Sequence, residues 1–387
     1  MYKILTLNSI SLAGLERLPR DRYEVASELA RPDGVLVRSA NMHEMDIPAT
    51  VRAVGRAGAG VNNIPVNELS ARGVPVFNAP GANANAVKEL VLAGILLASR
   101  NLCSAWSFVQ SLKGTDAEIS SAVEAGKKRF VGSELPGRTL GILGLGAIGV
   151  KVANAAHSLG MNVVGYDPKM TVDRAWQLSS SVKPAHGVEQ VLSESDFISI
   201  HVPLIEQTRG LINAARLSSM RKNAVLMNFS RAGIVDDDAV VDALEAGSLG
   251  AYVCDFPSNR LLACEKVIAL PHLGASTIQA EENCAIMVAE QVRDFLENGN
   301  ITNSVNYPDV QMSRNGGVRV TVMHSNVPNM LGQISTTVAS DGINIVDMLN
   351  KSRDAVACTM LDVDQAVGES LVTALAAIEG VQCVRVL

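Results

Sequence analysis

The sequence predicts an α/β protein: two doubly wound parallel-sheet domains followed by a smaller C-terminal βαββαβ unit. Three observations carry this expectation. Strand-like and helix-like segments alternate almost throughout. A glycine-rich turn joins an apolar strand to a helix with an apolar stripe. From Val318 onward the rhythm changes to strand, helix, strand, strand, helix, strand. The 387 residues, at about 150 per domain, allow two to three domains.

In chain order, the N-terminal segment MYKILTL reads as a strand, with none of the anatomy of a signal peptide. Short apolar strands are expected at 35–38, 52–57 and 74–77, the last after a Gly-Val-Pro turn. Residues 84–100 have helical spacing, with Val87, Leu90, Val91, Gly94, Ile95 and Ala98 on one face. The polar segment 111–129 ends in the cluster Lys127, Lys128 and Arg129, which reads either as a solvated face or as an anion contact. The βα rhythm resumes at Thr139 and runs to about His272, and 276–298 is a long helical stretch. Domain boundaries are accordingly expected at 1–93 with 275–306, at 94–274, and at 317–387, with a polar linker over 307–316.

Composition narrows the function. Hydrophobic residues make up 48% and charged residues 19%, a globular balance, and the net charge of −6 argues against a phosphate-backbone binder. Aromatics at 4% leave few platforms for stacking bases. No apolar run reaches the roughly 18 residues of a membrane span. The six scattered cysteines form no C-x-x-C pair, so free thiols in a reducing cytoplasm are expected, and no metal site.

The apolar strand TLGILGL, expected over 139–145, runs into the turn Gly144-Leu-Gly146-Ala-Ile-Gly149, and Asp167 ends the next expected strand 18 positions after the third glycine. Gly144 permits the tight turn, Gly146 lets a pyrophosphate approach the backbone, and Gly149 lets helix and strand pack closely. The helix start offers free N–H groups to phosphate. Asp167 can accept from both ribose hydroxyls and would repel a 2′-phosphate, which favours NAD over NADP. Gly58-Ala-Gly60 lacks a third glycine and could present turn amides to a small anion.

Hydride chemistry on a hydroxy acid needs an acid/base and a cation. His201 and His272 each follow a strand and are close rivals on position alone, while His43, His157 and His186 lack such placement. Arg231 follows the strand AVLMNFS, where its planar fork could take a carboxylate.

Taken together these segments resemble the D-2-hydroxyacid dehydrogenase family, closest to members that oxidise 3-phosphoglycerate. The residues carrying the resemblance are VRSA from Val37, AGAGVNNIP from Ala57, VFNAPGANANAVKEL from Val76, FVGSELPGRTLGILGLGAIG up to Gly149, HVPL from His201, NFSRAGIVDD from Asn228 and PHLGAST from Pro271. The resemblance implies that Arg231 binds the substrate carboxylate, that His272 takes the hydroxyl proton, and that Asp255 holds the nicotinamide carboxamide. It places Arg38, Ser39, Asn83 and Gly60 at the substrate, and Ala147, Ile148, Val202, Phe229, Ser230, Gly274 and Ala275 at NAD. It further implies the first step of L-serine synthesis and a homodimer or homotetramer. Other hydroxy acids, such as glycerate, remain as alternative substrates, and an NAD-sensing binding protein as a non-catalytic alternative. The family's D-V-F-x-x-E-P segment, whose glutamate pairs with the catalytic histidine, is replaced here by the shorter CDFPSNRLLACEKVIALPH. The partner carboxylate is therefore absent, moved or supplied by another residue. The C-terminal unit resembles an ACT regulatory domain, which would put L-serine at His324, Asn326 and Asn344, with Pro328-Asn329 where the family has Pro-Gly.

Overall fold

A computed structural model of the chain describes residues 1–314 and 316–387; position 315, inside the expected linker, lies outside the described residues. Two compact units emerge, Met1–Ala82 with Ile278–Leu387, and Asn83–Thr277.

The first unit begins with five strands: β1 (Tyr2–Leu7), β2 (Tyr23–Ala26), β3 (Gly34–Val37), β4 (Ala53–Arg56) and β5 (Val76–Phe77). They form a parallel sheet in the order β2-β1-β3-β4-β5, so the strand order reverses between β1 and β3. Their apolar runs are short and continuous because both faces are covered. The helix Ile278–Asn298 lies across one face through Cys284, Ala285, Val288, Val292 and Phe295. Gly55 makes that approach possible, since a Cβ there would stand 2.6 Å from Val288 Cγ2.

The second unit holds β6 (Thr139–Leu143), β7 (Asn162–Tyr166), β8 (Lys183–Pro184), β9 (Phe197–Ile200), β10 (Ala224–Asn228), β11 (Leu249–Cys254) and β12 (Val267–Ala269). They form a parallel sheet in the order β12-β11-β10-β9-β6-β7-β8. The order reverses between β6 and β9, which opens a crevice at their carboxyl ends. The helix Ala84–Ser99 buries Val87, Val91, Gly94 and Ile95 on the expected face. An expected domain break between 93 and 94 would cut this helix; the division falls instead between Ala82 and Asn83. The helix Leu102–Ser111 follows it, and the polar segment forms the helix Asp116–Gly126, which starts at a capping box in which Thr115 and Glu118 satisfy each other's backbone amides.

The C-terminal strands are β13 (Val318–Ser325), β14 (Ile345–Arg353), β15 (Val356–Val363) and β16 (Val381–Val386), an antiparallel sheet in the order β14-β15-β13-β16. Helices Met330–Ser340 and Glu369–Ala376 complete the expected βαββαβ order and pack on one face through Ile334, Val338, Leu371 and Leu375. The other face joins the core of the first sheet: Met323, Cys358 and Met360 belong to the same buried cluster as Ile4, Phe77 and Phe295. The segment expected as a free linker is tied down as well. Tyr307, Val310 and Met312 are buried, and Tyr307 Oη donates to the Ser70 carbonyl at 2.9 Å and meets Gln382 Oε1 at 2.7 Å. Three apolar side chains outweigh the polar average that made this stretch read as a linker. The buried Arg319 spans sheet and linker. Its guanidinium pairs with Asp362 at 2.7 and 2.8 Å and donates to the carbonyls of Asn298, Met312 and Ser313. Asn329, which stands where the resembling family has a glycine, takes the left-handed conformation (φ +67°) that asparagine tolerates better than most side-chain-bearing residues.

Candidate active site

In the second unit the glycine turn lies at the carboxyl end of β6, on the crevice. Gly144 has φ +95°, and a Cβ there would stand 2.6 Å from the His201 carbonyl. A Cβ at Gly149 would stand 2.0 Å from the Gly144 carbonyl. Gly146 differs: its nearest neighbour would be Arg174 Nη1 at 4.0 Å, so its backbone borders open space. That is the cradle a pyrophosphate needs, at the first turn of the helix Ala147–Ser158. Arg174 is a cation at this turn that the sequence did not single out. Asp167 directly follows β7, where Oδ2 accepts from the Leu145 amide at 2.9 Å and Oδ1 from the Lys169 amide at 2.8 Å. Each oxygen keeps a lone pair for a ribose hydroxyl. Ile148 and Val202 are half-buried, Ala147 is exposed and Phe229 is buried. The Phe229 ring lies under the helix, where a Cβ at Gly94 would stand 3.1 Å from its Cζ.

The two rival histidines differ in exposure. His201 Nε2 meets Ser199 Oγ at 2.8 Å, and its Nδ1 is buried with no partner among the described residues. Burial pulls its pKa down to about 4, so at neutral pH it is an uncharged structural group. His272 is exposed and held in the left-handed region at φ +57°. This conformation is uncommon for a side-chain-bearing residue and is stored where the surroundings enforce it. The enforcing group is Asp255, 1% exposed. Its Oδ1 accepts from the Leu273 amide at 3.1 Å and its Oδ2 from the Gly274 amide at 2.8 Å. Asp255 therefore anchors the histidine loop, beyond the cofactor contact expected of it. Among the described residues, the ring close to His272 is Phe256, edge-on with centroids 5.0 Å apart. Among the described residues the imidazole has no carboxylate partner. The replaced D-V-F-x-x-E-P segment puts a phenylalanine, and no acid, against the histidine.

Arg231 follows β10 in a loop fixed by Asn228, which is 2% exposed. Asn228 Nδ2 donates to the Arg231 carbonyl at 2.9 Å and its Oδ1 accepts from the Ser230 amide at 3.1 Å. Ser230 Oγ donates to the Ile200 carbonyl at 2.7 Å. The Arg231 guanidinium makes one internal bond, from Nη1 to the Ser230 carbonyl, and has no carboxylate partner among the described residues. Asn228 was legible only as a strand residue; its polar side chain at the buried end of an apolar strand was the available signal. Asn83 sits immediately before the helix Ala84–Ser99 and makes no side-chain cap bond. Ala275 is half-buried just after the anchored loop.

In the first unit Arg38 follows β3 at the point where the strand order reverses. Its Nη2 donates to Glu281 Oε1 at 2.6 Å, an ion pair with both side chains partly exposed. The hydrogen bond from Arg38 holds the Glu281 carboxyl below the usual carboxylate range. The Arg38 backbone is fixed by Arg56 Nε at 3.0 Å, and Asn63 Nδ2 donates to the Ala40 carbonyl at 2.7 Å. Ser39 is exposed and Gly60 half-buried. Glu281 escaped the sequence reading because it lies 243 positions from its partner.

The pattern described as D-isomer specific 2-hydroxyacid dehydrogenase, NAD binding domain, matches residues 92–274. D-3-phosphoglycerate dehydrogenase of Haemophilus influenzae is 34% identical over 348 residues, covering 87% of this chain and 81% of that protein. The chain belongs to the D-isomer specific 2-hydroxyacid dehydrogenase family. Its second unit carries the family's NAD-binding domain. The Methanocaldococcus jannaschii D-3-phosphoglycerate dehydrogenase is 33% identical over 85% of this chain, but the chain spans only 61% of that relative's length. It likewise spans 55% of the Archaeoglobus fulgidus relative of the same name. Among solved structures, NAD+-bound 3-phosphoglycerate dehydrogenase of Entamoeba histolytica matches with TM-score 0.60 and 25% identity, covering 79% of this chain and 98% of that one. Rhodotorula graminis D-mandelate dehydrogenase, at TM-score 0.68 and 21% identity over 81% of this chain and 99% of that one, shares the fold.

The residues expected at a serine site lie in the C-terminal unit with internal partners. His324 is 2% exposed within β13; its Nδ1 bonds the Ser325 carbonyl and its Nε2 bonds Thr359 Oγ1, both at 2.8 Å. Both ring nitrogens of His324 are used inside the C-terminal sheet. Asn326 Nδ2 donates to the Asp354 carbonyl, and the Asn344 amide donates to Asp364 Oδ1.

Proposed function

We propose that the protein oxidises 3-phospho-D-glycerate to 3-phosphonooxypyruvate with NAD, the first step of L-serine biosynthesis. The observation that carries this is the pairing, on the NAD-binding unit, of an Asp255-anchored His272 with an Arg231 free of any described carboxylate. NAD, when bound at the glycine turn, supplies the hydride acceptor for C2. His272 takes the C2 hydroxyl proton on its imidazole. Arg231 holds the substrate carboxylate bidentately and stabilises negative charge developing on the 2-oxygen. Arg38, Ser39, Gly60 and Asn83 are assigned to the rest of the substrate, with the phosphate on Arg38 after it exchanges Glu281 for the ligand. The exchange is inexpensive because the pair is partly solvated.

NADH formation with 3-phosphoglycerate, D-glycerate and D-lactate, measured side by side, tests the reading. Turnover should be largest with 3-phosphoglycerate; no turnover with any of them overturns it. The lack, among the described residues, of a carboxylate beside His272 favours a second reading, an NAD-binding sensor without turnover. His272→Ala separates the two: turnover is expected to vanish while NAD affinity stays, whereas a sensor shows no turnover to lose.

We also propose a reducing cytoplasmic setting, supported by six cysteines that are all free. Self-association, as a homodimer or homotetramer, is supported by the helix Leu102–Ser111, which buries none of its residues and exposes Trp106 at 68%. The βαββαβ order of the C-terminal unit supports reading it as a ferredoxin-like, ACT-type unit, with His324, Asn326 and Asn344 as the candidates for an L-serine effector. Calorimetry with L-serine on the native chain and on Asn344→Ala tests that assignment.

A further inference from the structure

At the end of the first sheet opposite Arg38, a cleft of about 690 Å³ opens beside the N-terminal ends of β1, β3, β4 and β5 and is lined on one side by residues 383–386 of β16. Gly73, at φ +72°, permits the two sheets to come this close, since a Cβ there would stand 2.5 Å from the Cβ of Cys383. The charged lining is Lys3, Arg31, Arg52, Arg72 and Arg385 against Asp33. The acids that reach these cations do so loosely: Glu24 to Lys3 at 3.6 Å, Asp33 to Arg52 at 3.9 Å and Glu68 to Arg72 at 3.7 Å. Arg31 has no ion-pair partner among the described residues.

Arg385 is the decisive group. It is 6% exposed, yet no carboxylate among the described residues pairs with it. Its terminal nitrogens donate to the carbonyls of Phe295 and Leu296 at 3.2 and 2.9 Å, its plane lies 4.6 Å over the Phe295 ring, and its buried Nε has no acceptor among the described residues. The neighbouring strand shows what a satisfied buried arginine looks like: Arg319 has the Asp362 carboxylate on two of its nitrogens. A buried cation without a counter-ion is strongly unfavourable. Burial, reinforced by Arg52, pulls the Arg385 pKa down to about 10.

We infer that this cleft binds a small polyanion, a phosphate ester or a polycarboxylate, whose negative charge is the counter-ion that Arg385 lacks. Guanidinium forks match both oxyanion types bidentately. The ligand would touch the first sheet and β16 together, so its binding stabilises their association. This inference stands apart from the proposed reaction, which uses none of these residues.

The test is titration calorimetry of the full chain with inorganic phosphate at fixed ionic strength, on the native protein, Arg31→Gln/Arg52→Gln and Arg38→Gln. The double variant should lose about tenfold or more in affinity at one phosphate site, with turnover of 3-phosphoglycerate unchanged. Arg38→Gln should keep that site. Citrate and glycerol 2-phosphate as competitors distinguish a polycarboxylate from a phosphate ester as the better occupant. Should the double variant fail to fold, Arg31→Gln alone, an exposed position, is expected to weaken binding about threefold. Phosphate binding unchanged in these variants overturns the inference. So does a melting temperature raised no more by phosphate than by chloride at matched ionic strength, because screening alone would then explain the effect.

Discussion

Arg231 and Arg38 each follow the carboxyl end of a parallel strand, and they are held in opposite ways. Arg231 stands in a loop anchored by buried polar side chains: Asn228 fixes its backbone, and Asp255 fixes the neighbouring histidine loop. Its guanidinium is left without an acid among the described residues. Arg38 is held by an exposed acid, Glu281, directly on its guanidinium. Buried anchors set geometry because leaving their partners unsatisfied is expensive, whereas a solvated ion pair contributes little and exchanges readily. One unit thus presents a fixed cation, and the other a cation that must trade partners.

The comparison can be broken most directly at Arg231. Arg231→Gln should lower kcat/KM by about a thousandfold without changing the melting temperature, as expected for a cation acting on transition-state charge from an exposed position. A large loss of stability instead would show that the residue is structural. Removing an anchor comes next. Asp255→Ala strands the amides of Leu273 and Gly274 and should destabilise the second unit by about 4 kcal/mol, read by urea denaturation, with faster hydrogen exchange at those two amides.

His201 sharpens the same contrast through pH. Its folded pKa of about 4 lies below the unfolded value of about 6.5, so the unfolded chain binds the extra proton first. The stability it confers is fully present above about pH 6.5 and should be lost progressively, by about 3 kcal/mol, as pH falls towards 4. His201→Gln should flatten that part of the stability profile. The smallest effect belongs to the exposed pair. Glu281→Gln should release Arg38 and lower the KM for the phosphorylated substrate about threefold, with stability changed by less than about 1 kcal/mol. An unchanged KM would show that Glu281 does not compete with the substrate.

By itself the sequence determined the alternation that makes the two parallel sheets, the helix Ala84–Ser99, the glycine turn with Asp167, and the βαββαβ order of the C-terminal unit. These are legible because strand and helix periodicity, turn chemistry and the absence of a Cβ act over a few residues. Tertiary structure decided what depends on distant partners. It half-buried His201, enclosing its Nδ1, and exposed His272, a difference that position along the chain left even. It set Phe256 against the histidine, brought Glu281 to Arg38, and bonded both ring nitrogens of His324 within the C-terminal sheet. It also fused the C-terminal sheet to the first core through Met323, Cys358, Met360 and Tyr307, where composition predicted a linker and a separate domain. Burial and pairing are properties of the packed neighbourhood, and a local pattern names the groups that need partners without naming the partners they find.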